Sequence, residues 1–561
     1  MIALKKTIET DVLVIGGGIA GLMAAIGAAR GGARVILADK ANTKRSGSGA
    51  TGNDHFMCYI PQIHGDDIRI IMREVADSLV GAFHDTQLTK RFLDESFEVV
   101  QMWEEFGINM RPWGEYKFMG HAFPDRPRVW LKYDGHNQKP ALTAAAKKAG
   151  VEIINHLPAV DIVVENGRVT GALLLDVSDE EPAFVAATAK KVILATGTAN
   201  RLYTPAGTPS KLFNTAFCPS CAGAAQAQAW RAGAKLVNLE MPNRHAGPKY
   251  LARCGKSTWI GLYRYPDGQL LGPFVTKATK ELGDITSDVW NSAFTDVMKN
   301  GRGPSYLDCT VTAPEDLKFM REAMASEGLT ALLDYMDKEG IDPGKHAVEF
   351  MQYEPHLIGR GLDVDVNGET SISGLYGAGD MVGNFRADIG GAAVYGWIAG
   401  KHASESAPAA QVGPDASKSA WLQERVAYYS KFMGRETTHD WKEANAALQQ
   451  LVTEYAAAGP YNVRSATLLK AGLTYLAHFR KHYEERVGAS CSHTLMRTIE
   501  VGDLIECAEA LMHAALERKE SRGMHLRSDF TFTNPLLTDK FLTVRREQGK
   551  VLCEWRQRKS F

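Results

Sequence analysis

The chain has 561 residues, of which 45% are hydrophobic and 23% charged, and its formal net charge is -1. Such a length favours two to four domains over one core, and the balanced charge gives no electrostatic case for nucleic acid or an anionic membrane. The sequence shows no uninterrupted apolar run of the ~18 residues that a membrane helix needs and no secretory leader, so a cytoplasmic chain is expected, associated with a membrane only through partners.

The first predicted strand, TDVLVIG at 10–16, ends in glycine. It leads through GGIAGLMAAIGAARGG, small residues at helical spacing, to a second apolar run, ARVILADK at 33–40. Strand, turn, helix and strand in this order form a βαβ unit. Its turn carries Gly16, Gly18 and Gly21 in G-x-G-x-x-G spacing, and the second strand ends in Asp39. Gly16 permits the tight turn, Gly18 lets backbone approach a pyrophosphate, and Gly21 lets helix and strand pack closely. The helix N-terminus offers its unpaired N–H groups to phosphate, and Asp39 suits a ribose. An adenine dinucleotide is the expected ligand.

A second loop rich in glycine, serine and threonine follows at 44–55, KRSGSGATGNDH, where the N–H groups of Ser48, Gly49, Ala50 and Thr51 suit a flavin edge and a pyrophosphate. The stretch 150–176, apolar runs broken by turns such as ENGR, predicts a β-meander inserted in the nucleotide domain. KKVILATGTANRLY predicts a buried strand opening into Ala195, Thr196 and Gly197. Between about 244 and 350, tryptophans, prolines and charged helical stretches predict a separate lobe. ISGLYGAGDMVG then brings Gly377, Gly379 and Asp380 ahead of GGAAVYGWIAGKHASESA, a small-residue helix expected to pack closely on backbone or ligand. A Pro/Ala/Ser-rich linker precedes strongly helical sequence from 416 to about 522. The last forty residues predict extended chain with turns. Three separated strand ends bearing glycine or acid call for a cofactor longer than a nicotinamide nucleotide.

These ordered stretches resemble one family, the flavoproteins of fumarate reductase, succinate dehydrogenase and adenylylsulfate reductase. VLVIGGGIAGLMAA, which contains Ala20, together with Asp39 and Lys40, is similar to that family's first FAD contact. ATG at 195–197 and GLYGAGD at 374–380 are similar to its second and third. GPSYLDCT (303–310) resembles its cap stretch "GPVYLD", and RKESRGMHLRSDF (518–530) its C-terminal "ESRG-H-R-DF" signature. The resemblance implies an α/β fold: a Rossmann-like FAD-binding domain in two parts, 1–243 and 351–408, with an inserted α+β capping domain at 244–350. A helical domain at 409–525 and an extended tail at 526–561 would complete it.

The same resemblance implies FAD as cofactor and, as electron partner, a separate ferredoxin-like iron–sulfur protein. The eight cysteines include only one close pair, Cys218 and Cys221 in CPSC, short of the four ligands that a cluster or a structural zinc needs. That pair reads either as reduced thiols or as a redox-active dithiol. His478 and His482 lack an intervening catalytic glutamate, and no metal site is expected. In the membrane-bound succinate and fumarate enzymes, the stretch matching Arg45-Ser46-Gly47 carries an FAD-tethering histidine after the serine. Gly47 stands there, so the resemblance implies noncovalent FAD, as in the adenylylsulfate reductases, whose "RSGA…QG" this loop resembles. His55 is expected to be an ordinary polar residue near the flavin.

The substrate end is expected to bind an anion. The region 238–264 takes the place of the dicarboxylate enzymes' "HPTG…TEG-RGEGG"; Glu240 and His245 keep its opening, and the remainder is missing. Arg244, His245, Lys249, Arg253, Lys256 and Arg264 make it cationic, and guanidinium forks grip carboxylate or sulfate bidentately. The resemblance places His356, in EPHLIGRG, and Arg386, in GNFRADIGG, beside them. Arg244, His245, Arg253, His356 and Arg386 are therefore the expected catalytic set. Trp259, Tyr263 and Tyr265 read as cap core or as a stacking surface. The expected function is an FAD-dependent oxidoreductase acting on a small anionic substrate and exchanging electrons with the iron–sulfur partner, nearest adenylylsulfate reductase. Alternatives are a dicarboxylate or enoate reductase of the fumarate reductase type, and a flavin module relaying electrons between proteins.

Overall fold

The apolar run ahead of Gly16 continues backward into a strand, Leu4–Ile15, whose last third from Val12 to Ile15 is buried. A computed structural model describes the chain except for residues 78–82, 121–124, 207–211, 250–258, 284–285, 287–289, 291, 411–412, 436–438 and 460–462. Leu4–Ile15 lies inside a seven-stranded sheet, paired in parallel with Val35–Ala38 on one side and with Ala183–Leu194 on the other. Strands buried on both faces read as unbroken apolar runs, which is why VLVI, VILA and VIL carry no polar alternation.

The meander predicted at 150–176 is not an appendage. Glu152–Ile154 joins one edge of the main sheet beside Val35–Ala38, whereas Ala159–Glu165 and Arg168–Asp176 extend the other edge in antiparallel pairing. Ala183–Leu194 is twelve residues long. Its first half pairs with Arg168–Asp176, and its last three residues pair in parallel with Leu375–Gly377. The parallel strands therefore end together: Gly16, Asp39, Ala195 and Ala378 follow the last paired residues at a single sheet edge. Open α/β sheets bind ligands in the crevice beyond such strand ends.

Two helices of small residues, Ile19–Arg30 and Asp388–Ser406, lie backbone to backbone. A Cβ on Gly396 would sit 2.2 Å from the Ala20 carbonyl oxygen, and one on Gly400 would sit 2.0 Å from that of Ala24. The glycines are what permit this contact.

A smaller antiparallel sheet, Ala246–Pro248, Val348–Gln352, Ser305–Asp308 and Leu262–Arg264, has a core of its own that includes Met324 from the helix Pro314–Ser326. Trp259 and Tyr263 are buried there, each edge-on to Phe350; both rings are cap core. The chain's end is paired, not loose. Lys540–Glu547 and Lys550–Gln557 form a hairpin that adds to Leu236–Val237 and Gly361–Leu362 in a four-stranded sheet.

The C-terminal signature is a buried charge network. Arg518 donates from Nε to Glu240 Oε1 at 2.7 Å and from Nη1 to Glu520 Oε1 at 2.7 Å. Arg464 donates to the Glu240 backbone oxygen at 2.6 Å and to His525 Nδ1 at 2.7 Å. These contacts tie the helical region to the segment leading into the cap. Truncating one partner of such a pair leaves an uncompensated buried charge, which costs about 3–5 kcal/mol.

Candidate active site

A cavity of about 580 Å³ runs along the sheet edge where the parallel strands end. Gly16, Gly18, Ala20, Asp39, Lys40, Ser46, Gly47, Ser48, Gly49, Ala50, Thr51, Ala195, Thr196, Gly197, Gly379 and Asp380 all line it. Gly21 does not: a Cβ there would fall 1.8 Å from the Gly16 carbonyl oxygen, so its task is helix–strand contact. Gly16 holds φ at +101°, and a Cβ on it would meet the Ala195 oxygen at 2.4 Å. Around Gly18, by contrast, there is open space, as backbone awaiting a phosphate requires.

The two glycine loops lean on each other. Ser46 Oγ donates to the Gly17 oxygen at 3.0 Å, and a Cβ on Gly47 would lie 3.4 Å from Gly18 Cα. Asp39 braces this arrangement, accepting from Gly17 N at 2.7 Å and from Ala41 N at 3.1 Å. Lys40 donates to Glu500 Oε1 at 2.8 Å and to the Ser220 oxygen, which binds the helix Ser492–Glu517 to the cavity wall. Two glycine loops lining one long cavity, with a helix N-terminus beside them, fit an adenine dinucleotide flavin.

Sequence reasoning missed Lys139. It is fully buried on the helix Gln138–Lys148 and donates to the Gly17 oxygen, while its neighbour Gln138 donates to the Gly49 oxygen at 2.9 Å. Burial pushes the Lys139 ammonium down to about 8. A lysine in an alanine-rich helix carries no pattern that would have marked it.

At the other end the cavity is bounded by His55, Phe217, His245, Ile358, Arg386 and Asp388, with Glu327 and Leu329 reaching it from the cap side. Arg386 is buried and donates from Nε and Nη2 to Asp388 Oδ1 at 3.0 and 2.8 Å. Its backbone N–H donates to His84 Nε2 at 2.8 Å. Burial penalises the Asp388 carboxylate, yet Arg386, His55 and His245 together hold it below its ordinary value. Burial raises Asp380 to about 6.

The other expected catalytic residues lie differently. His356 is buried one ring behind the wall, edge-on to Phe217 at 5.0 Å, because reciprocal backbone bonds of 2.9 Å between Asn243 and His356 hold it there. Its Nδ1 faces Ile358 N at 3.4 Å, and among the described residues its Nε2 has no hydrogen-bond partner. Burial first, then Arg386, His245, Arg360 and Arg244, push the imidazole well below its ordinary value. His356 is therefore neutral near neutral pH, and it does not titrate there as its unperturbed value suggests. Arg244 is absent from the lining and donates to the Ala458 oxygen at 2.8 Å. Arg360 is buried and bonds the Met241 and Gly359 oxygens, and burial and Arg386 push it down to about 9. Arg253 lies outside the described residues.

His55 is more than a bystander. Its Nδ1 lies 2.6 Å from Asp54 Oδ1, and Asp54 Oδ2 accepts from Lys132 Nζ at 2.7 Å. Burial works against the Asp54 carboxylate, but Lys132 and His55 hold it well below the usual range. Such a carboxylate fixes the Nδ1–H tautomer and leaves Nε2 as the proton acceptor. Asp54, His55 and Glu327 gather within 4.8 Å, yet the Lys132 ammonium already neutralises Asp54.

A family model described as FAD binding domain matches residues 11–392, and one described as fumarate reductase flavoprotein C-term matches residues 445–556. A fumarate reductase (CoM/CoB) chain of Methanothermobacter marburgensis is 24% identical, over 94% of this chain and 95% of that protein. L-aspartate oxidase of Vibrio cholerae is 24% identical, over 93% and 96%. Among solved structures, adenylylsulfate reductase from Archaeoglobus fulgidus superposes with a TM-score of 0.83 at 22% identity, covering 99% of this chain and 97% of that one. A quinol fumarate reductase from E. coli superposes at 0.81 with 21% identity, over 99% and 98%. These likenesses show a shared fold.

Proposed function

Because this chain belongs to the FAD-binding flavoprotein family and carries the C-terminal region of the fumarate reductase flavoproteins, we propose that it moves two electrons between a small anionic substrate and noncovalent FAD. It is an FAD-dependent oxidoreductase. Its substrate, and an iron–sulfur protein as electron partner, are the finer parts of this reading. The observation that carries it is that Arg386 and His245 line one end of the cavity beside the Asp388 carboxylate, with His356 and Arg360 buried behind that wall.

FAD, when bound, supplies two-electron chemistry; the chain's own groups bind, orient and move protons. The backbone of Gly16 to Ala20 and of Ser48 to Thr51 would hold the dinucleotide. Gly47 offers no side chain for a covalent link, which supports noncovalent FAD. Arg386, its fork oriented by Asp388, presents fixed positive charge to a substrate carboxylate, sulfate or phosphate. Neutral His356, edge-on to Phe217 behind the wall, adds no charge there and holds that ring in place. The Asp54–His55 pair can accept or return a proton at Nε2. Glu327 and Leu329 limit access of water from the cap side. The partner is supported by the resemblance to flavoproteins that pass electrons to a separate iron–sulfur protein.

The test uses full-length protein loaded with FAD and reduced anaerobically. Flavin absorbance should return on mixing with one of adenylylsulfate, fumarate or aromatic enoates, and acid denaturation should release free FAD. Reoxidation by a ferredoxin-like protein but by none of the anions would make the chain an electron-transfer module. Reduction of a dicarboxylate or enoate is the second reading, favoured by the fumarate reductases among its relatives.

A further inference from the structure

The CPSC segment lies in the cavity wall, and the proposed function makes no use of it. Cys221 N–H donates to the Cys218 oxygen at 3.0 Å, closing a tight turn that brings the two side chains together. Both residues line the cavity, Cys218 half-buried and Cys221 buried. Asn200 clamps the turn at both ends: its Nδ2 donates to the Cys218 oxygen at 2.7 Å and its N–H to the Cys221 oxygen at 2.9 Å. Cys221 Sγ sits against Gly197, where a Cβ would come within 2.8 Å of it. The pair is thus built into the strand end that carries Ala195 to Gly197.

We propose that Cys218 and Cys221 form a thiol–disulfide exchange site that opens into the cofactor cavity and takes a low-molecular-weight disulfide as its oxidant. The Cys218 thiolate attacks one sulfur of the small disulfide and expels one thiolate, which takes up a proton; the new bond is a mixed disulfide on Cys218. Cys221 then loses its proton and attacks the Cys218 sulfur, expelling the second thiol. The net change is one small disulfide reduced to two thiols, and one protein dithiol oxidised to the Cys218–Cys221 disulfide.

The pair is asymmetric as this order demands. The hydrogen bond from Cys221 lowers the Cys218 thiol to about 6, helped by the Lys40 ammonium, whereas the same contact and burial hold Cys221 well above its ordinary value. The attacking thiolate is then the half-buried residue and the resolving thiol the buried one. Burial pushes Cys58 and Cys309 up to about 12. Cys491, held low by Thr494, is not part of the lining.

Full-length protein, reduced and freed of reductant, is incubated with oxidised glutathione and read by peptide mass. Loss of two hydrogens from the peptide carrying both cysteines is expected, with a rate profile whose midpoint lies near pH 6, the value expected for Cys218. Cys221→Ser should stop at a glutathione adduct on Cys218, and Cys218→Ser should form no cross-link. FAD-loaded protein should react several-fold more slowly, with loading measured separately from quenched flavin fluorescence. If the cofactor reading fails, flavin stays unbound while exchange proceeds. Two unmodified thiols in the wild type, adducts on Cys491 alone, or an unchanged rate in demonstrably loaded protein would overturn the proposal.

Discussion

The two ends of the cavity are built by opposite means. The nucleotide end is mostly backbone: Gly16, Gly18, Gly47 and Gly49 act by leaving side chains out, within one short stretch of chain. The substrate end is buried charge gathered from distant segments, with Asp54 and His55 meeting Lys132, and His245 meeting His356, Arg386 and Asp388. The first tolerates no added atoms. The second tolerates no missing partner.

That contrast can be broken most forcefully at Gly21. A valine there would drive Cβ into the Gly16 oxygen, 1.8 Å away, where only backbone is present to yield. Overpacking commonly costs about 1–3 kcal/mol, so Gly21→Val should lower Tm and weaken FAD binding by ~100-fold, read by flavin fluorescence. Gly18→Ala is its counterpart. With open space around it, Tm should hold while FAD affinity falls, because the added methyl meets only the ligand. Equal loss of Tm in both variants would erase the distinction. At the charged end, Arg386→Ala should retain FAD but lower kcat/KM by ~100-fold, the usual cost of one well-placed donor. Unchanged turnover would remove Arg386 from the site.

The same contrast explains what could be read in advance. Gly16, Gly18, Gly21 and Asp39 are close in sequence, and each needs a particular residue type for a steric reason, so spacing alone located them. Main-sheet strands were equally legible, because burial on both faces leaves unbroken apolar runs. Side-chain direction was not. Arg244 and His245 are adjacent, yet the long guanidinium of Arg244 reaches the Ala458 oxygen while His245 faces the cavity. The Asp54–Lys132 bond spans 78 residues, a separation that no local pattern encodes. The hairpin Lys540–Glu547 with Lys550–Gln557 was read only as extended chain, since its partners at 236–237 and 361–362 lie far upstream.

A smaller effect separates charge from neutrality at His356. The unfolded chain takes up a proton on this histidine near pH 6.5, while the folded site resists it. Its contribution to stability is therefore complete above about pH 6.5 and is lost as pH falls, by about 1.4 kcal/mol per unit. Urea denaturation of wild type and His356→Gln between pH 5 and 7 should show the variant losing less stability on acidification. Parallel curves would mean that His356 is protonated in the folded state.

The smallest effect expected lies at the nucleotide end, and it tests whether that end is backbone alone. Lys139, like Asp39, is a place where the contrast bends: a buried ammonium, lowered to about 8, bonded to the oxygen of Gly17 in the first glycine loop. An anionic pyrophosphate beside that loop favours the charged ammonium, so binding and protonation are linked. FAD affinity should then weaken as pH rises from 7 to 9, by up to about tenfold per unit once the free protein's lysine is neutral and the bound one still charged. Lys139→Met keeps the stem and removes the titrating group. It should bind FAD several-fold more weakly at pH 7 and show a flatter pH profile. A profile as steep as that of the wild type would assign the pH dependence to another group and return the nucleotide end to backbone alone.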